Sequence, residues 1–284
     1  MLPEDKLFAK PSSMTTIPAV LLMAKAPSTH AKTRLNPALS PAQRAVLVEA
    51  MLQDTFLLVA QAAQAAQQAI QRVAQQAIQR VAQQAIQRVA QVGPALRLVV
   101  AAAPSPAHPD FQRLHAWWTQ EGISAADVSP SALTLSFCAQ GEGSLGDRLV
   151  YALESVERAP MTPVLILGSD SPSLPPSLLL LALEHLKQVD VVLAPSLDGG
   201  YVLLGLKQVE RAAFEHIPWS TPEVLEQTVR QLRAAGRTVA LLPLWYDVDE
   251  PEDLVRLHRQ LRTLHLLGET SRAPHTLHVL NTVL

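Results

Sequence analysis

Four short stretches concentrate the residues that could do chemistry. In the first, running from Met23 to Leu35, Lys25, Lys32 and Arg34 place three cations within ten residues of an apolar run. Such a loop suits clamping a di- or triphosphate, with the arginine offering bidentate contacts. It is not a Walker loop, because GxxxxGK[ST] is absent. The second stretch, Leu167-Gly-Ser-Asp-Ser-Pro-Ser-Leu174, sets Asp170 directly after a buried apolar run, where it could ligate Mg2+ or Mn2+ beside phosphate oxygens or simply cap a turn.

The third stretch is Leu197-Asp-Gly-Gly-Tyr201. Paired glycines let the backbone approach a ligand, which makes Gly199 and Gly200 candidate nucleotide contacts and turns Asp198 toward the ligand; an ordinary Asp-Gly turn reads the same way. The fourth contains Asp247 and Asp249, which alternate as in extended chain and so face one side. Asp249 also stands three residues before Glu252, a capping-box spacing, so it reads as either a cap or a metal ligand. Asp247 has no such structural role and is, with Asp198, a candidate to orient or deprotonate an acceptor. Ser220, Pro222 and Glu223 read as a helix start. Asp54 shares a helical face with Leu47, Met51 and Leu58; buried, it needs a partner, and Arg34 or Lys32 would serve.

These residues need elements to position them. Apolar runs of strand length alternate with helical patterns from Ile17 to Leu264, which indicates an α/β domain with a mostly parallel sheet and helices on both faces. Strand-length runs at Val189–Ala194 and Tyr201–Leu206, joined through Asp198-Gly199-Gly200, predict a hairpin that makes the sheet mixed. In open α/β sheets ligands bind beyond the carboxyl ends of the strands, where all four stretches fall. Residues 1–16 read as an N-terminal extension, and residues 265–284 as a C-terminal tail without a clear pattern.

The middle of the chain holds a perfect tandem repeat. Residues 67–74, 75–82 and 83–90 each read QQAIQRVA, within an Ala/Gln-rich insertion over 61–92. The composition favours helix. Eight residues turn the apolar stripe about 80° per copy, so no straight seam forms. A helix from Pro41 to Gln91 would be roughly 75 Å long, against an expected radius of gyration of about 19 Å. The tract must therefore project, fold back or fray.

Composition excludes several classes. The 284 residues are 48% hydrophobic, with 23 Lys and Arg against 25 Asp and Glu. This balance gives no electrostatic footprint for nucleic acid or an anionic membrane. The lone Cys138 has no partner for an internal disulfide, and no cysteine-histidine set spaced for zinc is present. The apolar runs fall far short of the roughly 20 residues that span a bilayer. The expected location is the cytoplasm.

The motifs KAPSTHAKTRL, GSLGDRL, LGSDSPSL, APSLDGGYVLLGL, WSTPEVL and DVDEPEDL, in this order, resemble those of the rSAM/selenodomain-associated transferases, the arsenosugar-biosynthesis-type glycosyltransferases. That family is similar to the GT-A nucleotide-diphospho-sugar transferase superfamily, which also holds guanylyltransferases. The resemblance implies a Rossmann-like, three-layer GT-A domain over residues 17–264 and a divalent metal. By motif, Lys25, Lys32 and Arg34 fall on the nucleotide loop and Asp170 on the metal-binding aspartate. Asp198, Gly199, Gly200 and Asp247 fall on the acceptor side. The loop departs from the pattern: Ser28, Thr29, His30 and Ala31 stand where relatives carry a glycine and one more residue.

The expected activity is metal-dependent transfer of a sugar from a nucleotide-sugar to a small-molecule acceptor. The alternatives are a nucleotidyltransferase using a nucleoside triphosphate and releasing pyrophosphate, and an inactive nucleotide-binding scaffold whose repeat arm recruits a partner.

Overall fold

The computed structural model describes residues 17–29, 32–80, 95–122, 129, 131–156, 161–269 and 271–284, with the backbone alone over 74–80. His30, Ala31 and the repeat beyond Arg80 lie outside the described residues. Seven strands form one sheet in the order β3-β2-β1-β4-β6-β5-β7. They are β1 (Ala19–Lys25), β2 (Leu96–Ala103), β3 (Leu133–Ala139), β4 (Val164–Gly168), β5 (Val191–Pro195), β6 (Tyr201–Leu206) and β7 (Val239–Leu241). All neighbours are parallel except at β6, which runs antiparallel to both β4 and β5. The predicted hairpin is thus β5–β6, and it makes the sheet mixed.

Period-two alternation along β1 explains the layers. Val20, Leu22 and Ala24 pack into one core and Ala19 and Leu21 into the other. The first core is closed by α1 (Pro41–Arg80), α2 (Pro109–Trp117) and α4 (Pro176–His185); the second by α3 (Leu145–Ser155) and α5 (Val224–Ala234). Outside α1 lies a further apolar cluster with α6 (Pro251–Leu266) and α7 (Pro274–Val283), seated on Leu47, Met51, Leu257 and Leu280. Helix α1 is therefore buried on two opposite sides. It contains one stretch long and apolar enough to cross a membrane, and 72% of that window is buried inside the protein.

Local signals account for the helix starts. Ser40 and Gln43 exchange side-chain and backbone bonds ahead of Pro41, and Ser144 and Asp147 form a capping box ahead of α3. The 40 residues of α1 make a rod of about 60 Å. Its burial ends at Gln67, and Ile70 and Val73 stand half to two-thirds exposed. The first repeat copy thus begins where α1 leaves the body of the protein, and residues 68–73 project.

Two expectations are corrected here. Residues 274–283, without a clear pattern in sequence, form α7 on the outer side of α1. Asp54 pairs with neither Arg34 nor Lys32; its two carboxylate oxygens accept the backbone N–H groups of His275 (3.1 Å) and Thr276 (2.7 Å), in the first turn of α7. A carboxylate there meets unpaired amides and the positive end of the helix.

Candidate active site

The strand order reverses between β1 and β4, and the four stretches gather beyond the carboxyl ends of these two strands, where doubly wound sheets bind ligands. Asp170 follows β4 by two residues. Two bonds join this corner to the segment before α6: Val248 N–H donates to the Asp170 carbonyl (2.8 Å), and the Ser171 hydroxyl donates to the Tyr246 carbonyl (2.9 Å). Val248 is fully buried in the outer apolar cluster, so alternation turns Asp247 and Asp249 toward the site. Helix α6 is capped by a box between Glu250 and Asp253, not by Asp249 with Glu252. The Asp249 carboxylate is thereby left for the site.

Lys32 lies between the two carboxylates. Its Nζ is 2.9 Å from Asp170 Oδ2 and 2.5 Å from Asp249 Oδ1, and its backbone is left-handed at φ 56°. Burial alone would lower the Lys32 pKa, but Asp170 and Asp249 outweigh it and raise it, so the ammonium stays charged. Arg34 Nη1 sits 3.7 Å from Asp249 Oδ2 with its side chain largely exposed. Two carboxylates thus converge on one cation. Among the described residues no group of three or more His, Cys, Asp or Glu side chains could hold a metal. Mg2+ usually takes one or two carboxylates and completes its shell with water and substrate phosphates. The donor set of Asp170 and Asp249 fits that habit.

Two cavities open on this centre and share Met23, Arg34, Gly168 and Asp249. One, of about 350 Å3, is lined by Lys25, Lys32, Arg34, Gln140, Ser169 and Asp170. The other, of about 480 Å3, is lined by Ser196, Asp198, Gly200, Trp219 and Asp247 over an apolar floor. Asp247 accepts the Ser196 hydroxyl at 2.9 Å. Burial, then the charges of Asp198 and Asp249, push its carboxyl above the usual range. Asp198 accepts the Gly200 N–H at 3.0 Å, a local turn that orients its carboxylate.

The structure therefore places Lys25, Lys32 and Asp170 on the basic side, Asp198, Gly200 and Asp247 on the other, and Arg34 and Asp249 on the boundary. Gly199 does something else. Its φ is +91°, and a Cβ there would meet the Pro222 carbonyl oxygen at 2.2 Å. A Cβ on Gly146 would meet the Trp219 indole nitrogen at 3.0 Å. The glycines of GSLGDRL and DGGY thus let the WSTPEVL segment close against α3 and the β5–β6 turn.

Several residues that shape the two cavities carry no signal of it in the sequence. Ser220, Thr221 and Pro222 wall the larger cavity as well as leading into a helix start, α5 beginning at Val224 with Glu223 as its N-cap. Ser220 has φ 65°, an unfavourable conformation of the kind that clusters at functional sites. Gln140, buried, donates to the Ala24 and Ala101 carbonyls and lines the basic cavity. Asp110, also buried, holds the loop at Ser28. No spacing rule marks these; their partners are distant in sequence.

A family model described as an uncharacterized protein conserved in bacteria (DUF2064) matches residues 107–221, from the start of α2 to the Thr221 wall. No curated protein matches the chain. Among solved structures, the chain is similar to a provisionally assigned nucleotide-diphospho-sugar transferase from Desulfovibrio desulfuricans G20, with 24% identity and a TM-score of 0.64, over 95% of each chain. It also aligns with a CMP:2-keto-3-deoxy-manno-octonic acid synthetase complexed with CTP, at 13% identity and a TM-score of 0.42, covering 87% of this chain and 99% of the other. A 4-diphosphocytidyl-2C-methyl-D-erythritol synthase from Anaerococcus prevotii DSM 20548 aligns at 11% identity and a TM-score of 0.43, covering 87% and 96%. The first of these likenesses bears out the Rossmann-like mixed sheet.

Proposed function

We propose that the chain is a GT-A-type glycosyltransferase, moving a sugar from a nucleotide-sugar to a small-molecule acceptor. One observation carries the reading: a basic cavity and an acidic one meet at Arg34 and Asp249, at the switch point of the sheet. A donor diphosphate suits the basic side, with its sugar at the boundary and the acceptor on the Asp198–Asp247 side.

In this reaction the bond between the anomeric carbon and the diphosphate oxygen breaks, and a bond from the acceptor oxygen to that carbon forms. Negative charge grows on the leaving diphosphate, where Lys25, Lys32 and Arg34 are placed to stabilise it. Asp170 and Asp249 would hold Mg2+ or Mn2+, which when bound supplies Lewis-acid stabilisation to the same oxygens. Lys32 then exchanges its carboxylate partners for phosphate. Asp247 takes the acceptor proton; burial, the largest cause of its raised pKa, strengthens it as a base. Ser196 holds that carboxylate in place.

The arsenosugar-type resemblance agrees with sugar transfer and is carried by motif order alone. Calorimetric titration of nucleoside diphosphates with and without Mg2+ tests the donor side. The expected result is metal-enhanced binding, reduced at least tenfold in Asp170→Asn, the order of one lost charge-assisted contact. Failure of every diphosphate to bind overturns the reading.

A further inference from the structure

We infer that the cavity on the Asp198–Asp247 side selects acceptors by charge: it takes a compact body with apolar surface and an uncharged or cationic polar end, and it turns away phosphorylated or carboxylated molecules. This deepens the proposed function and rests on it for the word acceptor.

The lining carries the argument. The floor is apolar, built from Met23, Leu149, Ile166, Val202, Leu204 and Trp219. Asp198, Asp247 and Asp249 stand over it, and Arg34 is the cation among the described lining residues. In the protein without metal or donor, Arg34 lies against Asp249 at 3.7 Å, so Asp198 and Asp247 face the cavity with no other cation among its described lining residues. Lys25 and Lys32 line the other cavity. An anionic group seated here would face two like charges, the exposed Asp198 and the half-buried Asp247, of which the second is the less screened by water. A hydroxyl or amine meets hydrogen-bond acceptors instead.

The wall is held by close contacts. Leu225 N–H donates to the Gly199 carbonyl (3.0 Å), and Trp219 abuts α3 through the space left by Gly146. The carboxylates themselves are tied by the Ser196 hydroxyl on Asp247 and the Gly200 N–H on Asp198. The consequence reaches the chemistry: nucleotidyl transfer to a phosphomonoester brings an anionic nucleophile, which this cavity disfavours, whereas glycosyl transfer to a hydroxyl or amine does not.

A matched trio tests the inference: phenyl β-D-glucopyranoside, its 6-phosphate and its 6-amino-6-deoxy analogue. Binding is read on the full chain labelled with 5-fluorotryptophan, from the 19F resonance of Trp219, assigned with Trp219→Phe. The neutral and amino probes are expected to bind about tenfold or more tighter than the phosphate, the order set by one or two like charges nearby. In Asp198→Asn/Asp247→Asn that preference should shrink to about threefold or less. Equal or tighter binding of the phosphate overturns the inference, as does no response to any probe up to about 10 mM, a concentration generous for ligands of this size. The diphosphate titration runs in parallel. If diphosphates fail to bind while the trio sorts as expected, the donor reading falls and the charge selection stands.

Discussion

The carboxylate of Asp110 accepts both the backbone N–H of Ser28, at 2.8 Å, and its hydroxyl, at 2.7 Å, across 82 residues of sequence. Ser28 lies in the loop between β1 and Lys32, and Asp110 sits in the first turn of α2, braced by Arg113 at 2.6 Å. The basic loop is thus held from the neighbouring helix. Burial raises the Asp110 carboxyl, but the two Ser28 bonds and Arg113 outweigh it and bring its pKa below the ordinary value.

Asp110→Ala should therefore lower stability by about 2 kcal/mol at neutral pH, the range for hydrogen bonds to a charged group, and weaken diphosphate binding with it. Ser28→Ala, losing one of the two bonds, should cost about 1 kcal/mol. Because the folded-state pKa is depressed, this stabilisation is present above the unfolded pKa and is lost as pH falls through the folded one. Denaturant melts of wild type and Asp110→Ala should converge in acid; a constant gap at every pH would contradict the assignment.

Asp54 has the opposite sign. Burial pushes its carboxyl up to about 7, against the pull of the Thr276 and His275 hydrogen bonds. The fold thus favours the protonated acid, whose contribution is full below the unfolded pKa and declines as pH rises toward 7. Between pH 5 and 8 wild type should lose roughly 2–3 kcal/mol relative to Asp54→Asn, by linkage at about 1.4 kcal/mol per pKa unit. Parallel stability profiles for the two proteins would refute this.

Two glycines provide a contrast. Gly199 and Gly236 both have positive φ, +91° and +75°, but a Cβ on Gly236 meets nothing within 4 Å. Gly236→Ala should cost about 1 kcal/mol for backbone conformation alone. Gly199→Ala adds the collision with Pro222 and should cost roughly 3 kcal/mol or more, with loss of acceptor-side binding. Similar melting temperatures for the two variants would mean that the turn yields easily.

How much of this was legible in sequence depends on the range of the cause. Asp170 at a strand end and the β5–β6 turn at Asp198 follow from neighbours within a few residues, and they read correctly. The inward register of Asp54 was also local and correct, but its partner was not: α7 lies more than 200 residues away and is too short and weakly patterned to be seen. Asp249 was ambiguous because Asp253 supplies the cap one residue further along, a difference that spacing alone does not resolve. The wall formed by Ser220 and Pro222 depends on glycines at 146 and 199 being approached from outside, which no linear pattern encodes.

The repeat also allows a direct check. Ile70 and Val73 are exposed on the projecting part of α1, so the first copy contributes little apolar packing beyond Gln67. Deleting residues 75–90, two of the three copies, should change the melting temperature by only about 2 °C and leave diphosphate affinity unchanged. Failure to fold would show that the arm is integral to the domain.

If a nucleotide-activated sugar is cleaved where Lys32, Asp170 and Asp249 meet, the phosphate product it releases identifies the reaction. Nucleotide-sugars and nucleoside triphosphates, each with Mg2+ or Mn2+ and a mixture of alcohols and amines, are incubated with the protein and the phosphate products resolved by mass. A nucleoside diphosphate is expected from a nucleotide-sugar, and its release is expected to be lost in Asp170→Asn and in Lys32→Ala. Pyrophosphate released from a triphosphate, or diphosphate release that survives both substitutions, would contradict it.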